Sequence, residues 1–259
     1  MADLLRAEKL RKEFGGLVAV DDVDFAIPEG SIVSLIGPNG AGKTTFFNML
    51  TGVYKPTAGR VILRERDVTG KPPHAITERG VGRTFQNIRL FAAMTALENV
   101  LVGMHTQLKG GIVPSILKTP RIRKEEREAR VRARELLEFS GLRGIEGEMA
   151  RNLSYGDQRR LEVARALAIE PTLLLLDEPT AGMNPQETNE FTDFVAKLRA
   201  EHDLTILLIE HDMRVVMGIS DRVTVFDYGE KIAEGTPVEI QKDERVIEAY
   251  LGSGATTHA

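Results

Sequence analysis

The chain has 259 residues, with 38 Asp and Glu against 34 Lys and Arg, for a formal charge of −4 at pH 7. A chain this long buries about three quarters of its unfolded surface, so it needs no disulfide or metal to hold a core. The absence of cysteine excludes thiolate zinc sites and cysteine nucleophiles, and the mildly acidic balance argues against binding nucleic acid by charge alone.

No apolar run reaches the roughly 18 residues a membrane helix needs. Asp3 and Glu8 fall where a secretory leader would be basic and then continuously apolar, which leaves the cytoplasm as the expected location. At roughly 150 residues per domain, the length suits one domain with a sizeable insertion.

The first clear element is Val23, Phe25 and Ile27 alternating with Asp22, Asp24 and Ala26, the pattern of a half-buried antiparallel strand. Apolar runs follow at Ile32 to Ile36, Val61 to Leu63, Leu173 to Leu176, Thr205 to Ile209 and Val223 to Phe226, with helix-like segments between several of them. That alternation predicts an α/β fold with parallel central strands. The segment Val223 to Glu234 reads as a hairpin turning at Tyr228-Gly229, so the sheet should be mixed.

Ser31 to Ile36 leads into Gly37-Pro38-Asn39-Gly40-Ala41-Gly42-Lys43-Thr44, and helix-forming residues run from Thr45 to Leu50. This is the phosphate-binding loop pattern G-x-x-x-x-G-K-[ST] in the strand-to-helix context it requires. The glycines let backbone N–H groups turn onto phosphate oxygens, and the helix presents its positive end. Lys43 would reach the β- and γ-phosphates and the Thr44 hydroxyl would ligate Mg²⁺.

Between Gly103 and Met149 the composition changes. Gly110, Gly111, Pro114 and Pro120 punctuate a stretch that leads into a charged helix, Ile122 to Phe139, which reads as an inserted helical subdomain. Lys118 to Arg134 holds eight basic and three acidic residues, a local +5. It reads as a solvated face with Glu–Arg pairs, or as a docking face toward anionic lipid or a partner.

The strand Leu173 to Leu176 ends in Asp177 and Glu178. Neighbouring strand residues point to opposite faces, so the two acids should have separate roles. Asp177 suits Mg²⁺, and Glu178 suits orienting or deprotonating a water. The sequence holds no Asn-Lys-x-Asp run, which argues against a guanine nucleotide.

Leu153-Ser154-Tyr155-Gly156-Asp157-Gln158 resembles the signature of ATP-binding cassette (ABC) ATPases. Gln86 in Gly82-Arg83-Thr84-Phe85-Gln86 and His211 after Ile206 to Glu210 complete the family's ordered set. Within it the chain resembles the ATP-binding subunits of branched-chain amino-acid importers, through Leu153 to Arg165, the insertion Gln107 to Lys124, Pro179 to Pro185, Ile209 to Val223 and Glu248 to Gly252. The lipopolysaccharide-export ATPase is a nearby alternative that shares the Tyr-Leu-Gly ending without so long an insertion. Soluble cassette proteins of translation or DNA maintenance are another, but they usually fuse two cassettes or insert coiled coils, and this chain has one signature and no sustained heptads.

The resemblance implies a P-loop fold of the ABC type: a mixed central sheet, an antiparallel β subdomain and an inserted α-helical subdomain. It divides a single cassette into a nucleotide-binding core at 1–86 and 170–252, a helical subdomain at about 87–169, and a loose tail at 253–259. It implies ATP and Mg²⁺ as cofactors, with Phe14 against adenine and Gly37 through Thr45 on the phosphates, Thr45 included. Thr44, Gln86 and Asp177 would hold the metal, with Glu178, His211 and Gln86 at the reacting water. Ser154 and Gly156, at the start of a helix expected from Gly156 to Ile169, would meet nucleotide on a second, identical or paralogous cassette packed head to tail. Transmembrane permease subunits, which the chain would meet from the cytoplasm at the inner face of the membrane, and, through them, a substrate-binding protein are the other implied partners, and nucleic acid is not one. Three departures stand out: Tyr155 where Gly is commoner, Asp157 where Gln is, and Asn184 where many cassettes carry Asp. His74, His105, His202 and His258 show no ligand spacing, so no transition metal is expected.

Overall fold

The computed structural model describes residues 2–104 and 120–251, and the side chains of 120–122 and 251 are excluded from that description. Most of the insertion Gln107 to Lys124, and the tail beyond 251, lie outside the described residues.

Among the described residues the strands form two sheets. The central one has the order β10-β9-β3-β8-β7-β6, built from β3 (Ile32–Ile36), β6 (Val81–Arg83), β7 (Leu173–Asp177), β8 (Thr205–Ile209), β9 (Arg222–Asp227) and β10 (Glu230–Gly235). All its pairings are parallel except β9 with β10, so the sheet is mixed and the hairpin turns at Tyr228-Gly229 as the sequence predicts. The second sheet is antiparallel, order β2-β1-β4-β5, from β1 (Asp3–Phe14), β2 (Leu17–Pro28), β4 (Ala58–Leu63) and β5 (Arg66–Asp67).

One sequence reading changes here. Val61 to Leu63 belongs to β4, which pairs with β1 and not with the central sheet. A run of three apolar residues carries no information about its partner, and that partner is a strand the hydrophobic pattern does not announce. β1 reads DLLRAEKLRKEF, with charges on its open face, and its membership comes from pairing on both edges.

The apolar strands of the central sheet are buried on both faces, which is why they lack alternation. Leu173, Leu175, Leu207 and Ile209 join one hydrophobic cluster with Phe25, Phe46 and Phe47, under the antiparallel sheet. Leu174, Leu176, Ile206 and Leu208 join a second cluster, formed with the helices on the opposite side. Those helices are α3 (Ala96–Met104), α4 (Pro120–Phe139), α5 (Tyr155–Leu167) and α6 (Pro185–His202). Three residues of α4, Ala133, Leu136 and Leu137, enter this cluster, while its charged side carries a Lys124–Glu128 pair at 3.8 Å and an Arg132–Glu170 pair. α4 begins at Pro120, two residues before the expected start, as suits proline in a first turn. α5 spans Tyr155–Leu167, against Gly156 to Ile169 expected, because Ser154 caps it one residue earlier.

Candidate nucleotide site

The phosphate loop connects β3 to α1 (Lys43–Leu50). Gly37 has φ +147° and a Cβ there would lie 2.1 Å from the Phe226 carbonyl; Gly42 has φ +95° and its Cβ would lie 2.3 Å from the Ala19 carbonyl. Both positions therefore exclude every other residue type. The turn of the β9–β10 hairpin braces the same loop, for the Gly229 N–H donates to the Ala41 carbonyl at 3.1 Å and the Asp21 N–H donates to the Gly229 carbonyl at 2.8 Å. α1 starts from Gly42 with no side-chain cap, so its first N–H groups remain available to an anion.

Along this loop Gly37 is buried, Pro38 half-buried, and Asn39 and Gly40 exposed, with Ala41 buried again. Lys43 is buried, and its Nζ donates to the carbonyls of Gly37 at 2.6 Å and Pro38 at 2.8 Å. Burial pushes its ammonium below the usual lysine value, against the pull of the nearby Glu178 and Asp177 carboxylates. Thr44 is exposed and Thr45 half-buried on the first turn of α1.

Asp177 closes β7 on the face of Leu173 and Leu175, so its carboxylate points toward α1. There it meets Arg83 of β6 at 3.2 Å. Arg83 also donates to the Asn48 amide oxygen at 2.8 Å and the Thr51 hydroxyl at 2.7 Å, and lies against the Phe47 and Phe85 rings. Burial raises the Asp177 carboxyl above its ordinary value, while Arg83 opposes the shift.

Glu178 lies beyond the strand at φ +46°, a left-handed conformation that is uncommon for such a residue. Its separation from Asp177 thus comes from a backbone reversal at the strand end, not from the pleat alternation inferred from sequence. Its Oε2 accepts a hydrogen bond from Gln86 Nε2 at 2.9 Å and lies 4.0 Å from His211 Nδ1. His211 is oriented through its backbone, whose N–H donates to Glu210 Oε2 at 2.9 Å; Glu210 is itself buried and accepts from the Thr180 N–H and hydroxyl.

Gln86, Glu178 and His211 therefore meet, with Lys43 and Asp177 nearby. Phe14 lies elsewhere, at the end of β1, 41 % exposed, with Tyr54 edge-on at 5.3 Å and the Lys12 ammonium 4.7 Å above its ring. Ser154 and Gly156 line a separate cavity of about 260 Å³ with Asp157, Arg160, Met183 and Glu187. The Ser154 hydroxyl caps α5, accepting from the Asp157 N–H at 3.1 Å and donating to Asp157 Oδ2 at 2.7 Å. Asn184 caps α6 in a reciprocal box with Glu187. Arg159, Glu162 and Glu210, all buried, and Arg83, half-buried, are members of the site's framework that sequence reasoning passed over; a basic residue two places before Phe85 was the available signal for Arg83.

A phosphate loop between the parallel strand β3 and its helix, with the acid-ended strand β7 one place removed across β8, is the arrangement of a P-loop nucleotide-binding fold. Residues 20–181 match the ABC transporter model, and residues 230–256 match the model for branched-chain amino acid ATP-binding cassette transporters. The chain is 54% identical over 249 residues, 96% of its own length and 98% of the relative's, to the high-affinity branched-chain amino acid transport ATP-binding protein LivG of Salmonella typhimurium (strain LT2). It is similar to the crystal structure of the ADP conformation of MJ1267, an ATP-binding cassette of an ABC transporter, with TM-score 0.85 and 34% identity over 97% of this chain and 100% of that one. A dimeric structure of the bacterial ABC transporter cassette MJ0796 matches with TM-score 0.76 and 27% identity over 90% and 98% of the two chains. The chain belongs to the ABC transporter family of ATPases, among the branched-chain amino acid transport ATP-binding proteins.

Proposed function

We infer that the chain is the ATP-hydrolysing subunit of an importer for branched-chain amino acids, working through separate permease subunits. The observation that carries this reading is its 54% identity to LivG over nearly the full length of both proteins, beside a site in which Gln86 and His211 approach one carboxylate, Glu178.

In this reading Phe14, 41 % exposed, offers its ring to adenine. The loop from Gly37 to Gly42 wraps the phosphates, and its N–H groups, which Pro38 lacks, hold them together with those of Lys43, Thr44 and Thr45, while Lys43 turns from its own loop carbonyls to the phosphate oxygens. Glu178 takes the proton of the attacking water, Gln86 and His211 fix that water's position, and His211 donates to the γ-phosphate. The Thr44 hydroxyl, the Asp177 carboxylate and the Gln86 side-chain amide oxygen are hard oxygen donors that suit Mg²⁺, and Gln86 uses its amide nitrogen, not that oxygen, on Glu178. Mg²⁺, when bound, would neutralise charge on the β- and γ-phosphates.

Ser154 and Gly156 line a cavity apart from this cluster, which supports a head-to-tail pair of cassettes, the same or paralogous, each completing the other's site. No described helix is long and apolar enough to cross a membrane, in keeping with transmembrane partners on other chains and a place at the inner face of the membrane. The deciding measurement is ATPase activity of the chain assembled with its permeases in liposomes. Stimulation by a leucine-loaded binding protein supports the assignment, and turnover indifferent to it refutes the substrate.

A further inference from the structure

The backbone around Gln86 changes allegiance within two residues. Thr84 still belongs to the central sheet, its N–H donating to the Leu175 carbonyl at 2.9 Å. Phe85 and Gln86 belong instead to α5. Arg159, 2% exposed, donates from Nη1 to the Phe85 carbonyl at 2.6 Å and from Nη2 to the Gln86 carbonyl. Three residues later Arg89 follows, its N–H donating to Glu162 Oε1 at 3.2 Å.

Arg159 is held in turn from both sides. Glu162 Oε2, 1% exposed, lies 3.2 Å from Nη1, and the Tyr155 hydroxyl accepts from Nη2 at 3.0 Å. Tyr155 is the residue that departs from the commoner glycine of the signature. Its ring also covers Gly182 in the loop after the acid strand, where an added Cβ would come within 3.6 Å of it. A buried ion pair is weak evidence for stability, because desolvation offsets most of its attraction. Among the described residues the Arg159 Nε has no partner, so tight folding does not explain the arrangement.

We propose that Tyr155, Arg159 and Glu162 form a latch by which the signature helix carries the glutamine segment, so that α5 sets the distance from Gln86 to Glu178. Arg159 is then a positioning residue: it is buried and acts through the Phe85 and Gln86 carbonyls. The peptide between Thr84 and Phe85 becomes the joint between core and helical side. Any displacement of α5, by a second cassette at Ser154 or by a membrane partner, lengthens or shortens the 2.9 Å contact of Gln86 with Glu178. The functional part rests on the reading of Gln86 and Glu178 given above.

The test uses Arg159→Lys, which keeps the charge but not the planar fork, and Tyr155→Phe, which removes one acceptor and leaves the ring. Hydrogen exchange on the full chain is read for residues 85–91 against residues 173–177 and against α5. The latch requires faster exchange at 85–91 alone, larger in Arg159→Lys than in Tyr155→Phe. Unchanged exchange there, or a uniform rise across the chain, overturns it. In the membrane assembly, kcat should fall roughly 10- to 100-fold with KM for ATP unchanged, whereas a loss confined to KM contradicts the latch. The exchange result stands whether or not Gln86 acts on nucleotide, so failure of the catalytic reading and failure of the latch are told apart.

Discussion

Gln86 and Glu178 are joined by a 2.9 Å hydrogen bond just beyond the ends of two paired parallel strands, one on the segment leaving β6 and the other directly after β7. Glu178→Gln replaces the carboxylate by an isosteric amide and leaves Lys43 and the phosphate loop untouched. The variant should bind ATP with unchanged affinity and lose on the order of 100-fold or more in turnover. It should also accumulate an ATP-dependent dimer in gel filtration, and undiminished turnover would remove Glu178 as the base. Lys43→Ala is its counterpart, losing nucleotide affinity by at least about tenfold in a fluorescent-nucleotide titration; equal affinity in the two variants contradicts the mapping.

Asn184 caps α6 through the N–H groups of Gln186 and Glu187, both near 3 Å. Asn184→Ala should destabilise the chain by about 1 kcal/mol. Asn184→Asp keeps the acceptor and adds a charge at the helix start, which should stabilise by about 0.3–1 kcal/mol at low salt. Urea unfolding reads both, and an Asp variant less stable than Asn would show that the nearby Glu187 carboxylate outweighs the helix dipole.

Burial raises the Glu162 carboxyl above its ordinary value, while the Arg89 N–H, Arg159 and Arg165 oppose the shift. Between about pH 4.3, where an unfolded glutamate titrates, and its raised folded value, the native chain holds a proton the unfolded chain has released. Its contribution is therefore fully present below that range and lost as pH rises through it. The stability of wild type minus that of Glu162→Gln should accordingly fall as pH rises from 4 toward neutrality. A difference that rises with pH would mean that Arg159 dominates desolvation.

The strands Ile32 to Ile36, Leu173 to Asp177 and Thr205 to Ile209 are legible in the sequence because burial on both faces leaves unbroken apolar runs. The phosphate loop is legible because Gly37 and Gly42 are enforced by carbonyls that no Cβ can approach and Gly40 by its left-handed φ. β1 is not, since its place depends on pairing with β2 and β4 rather than on its own periodicity. Nor is Arg159: a charge on a helix reads as solvated, and only the approach of the Phe85 and Gln86 carbonyls reveals an internal one.

The hydrogen bonds from the Tyr228-Gly229 turn to Ala41 and Asp21 also bear on the order of events during synthesis. The phosphate loop emerges from the ribosome first, yet a brace that fixes its middle belongs to a hairpin translated only after β7 and β8. A nascent chain therefore has the nucleotide motif long before it has the braced nucleotide site, and an insertion at Tyr228, 90% exposed and by surface criteria a tolerant position, would leave the finished protein with the early, unbraced form.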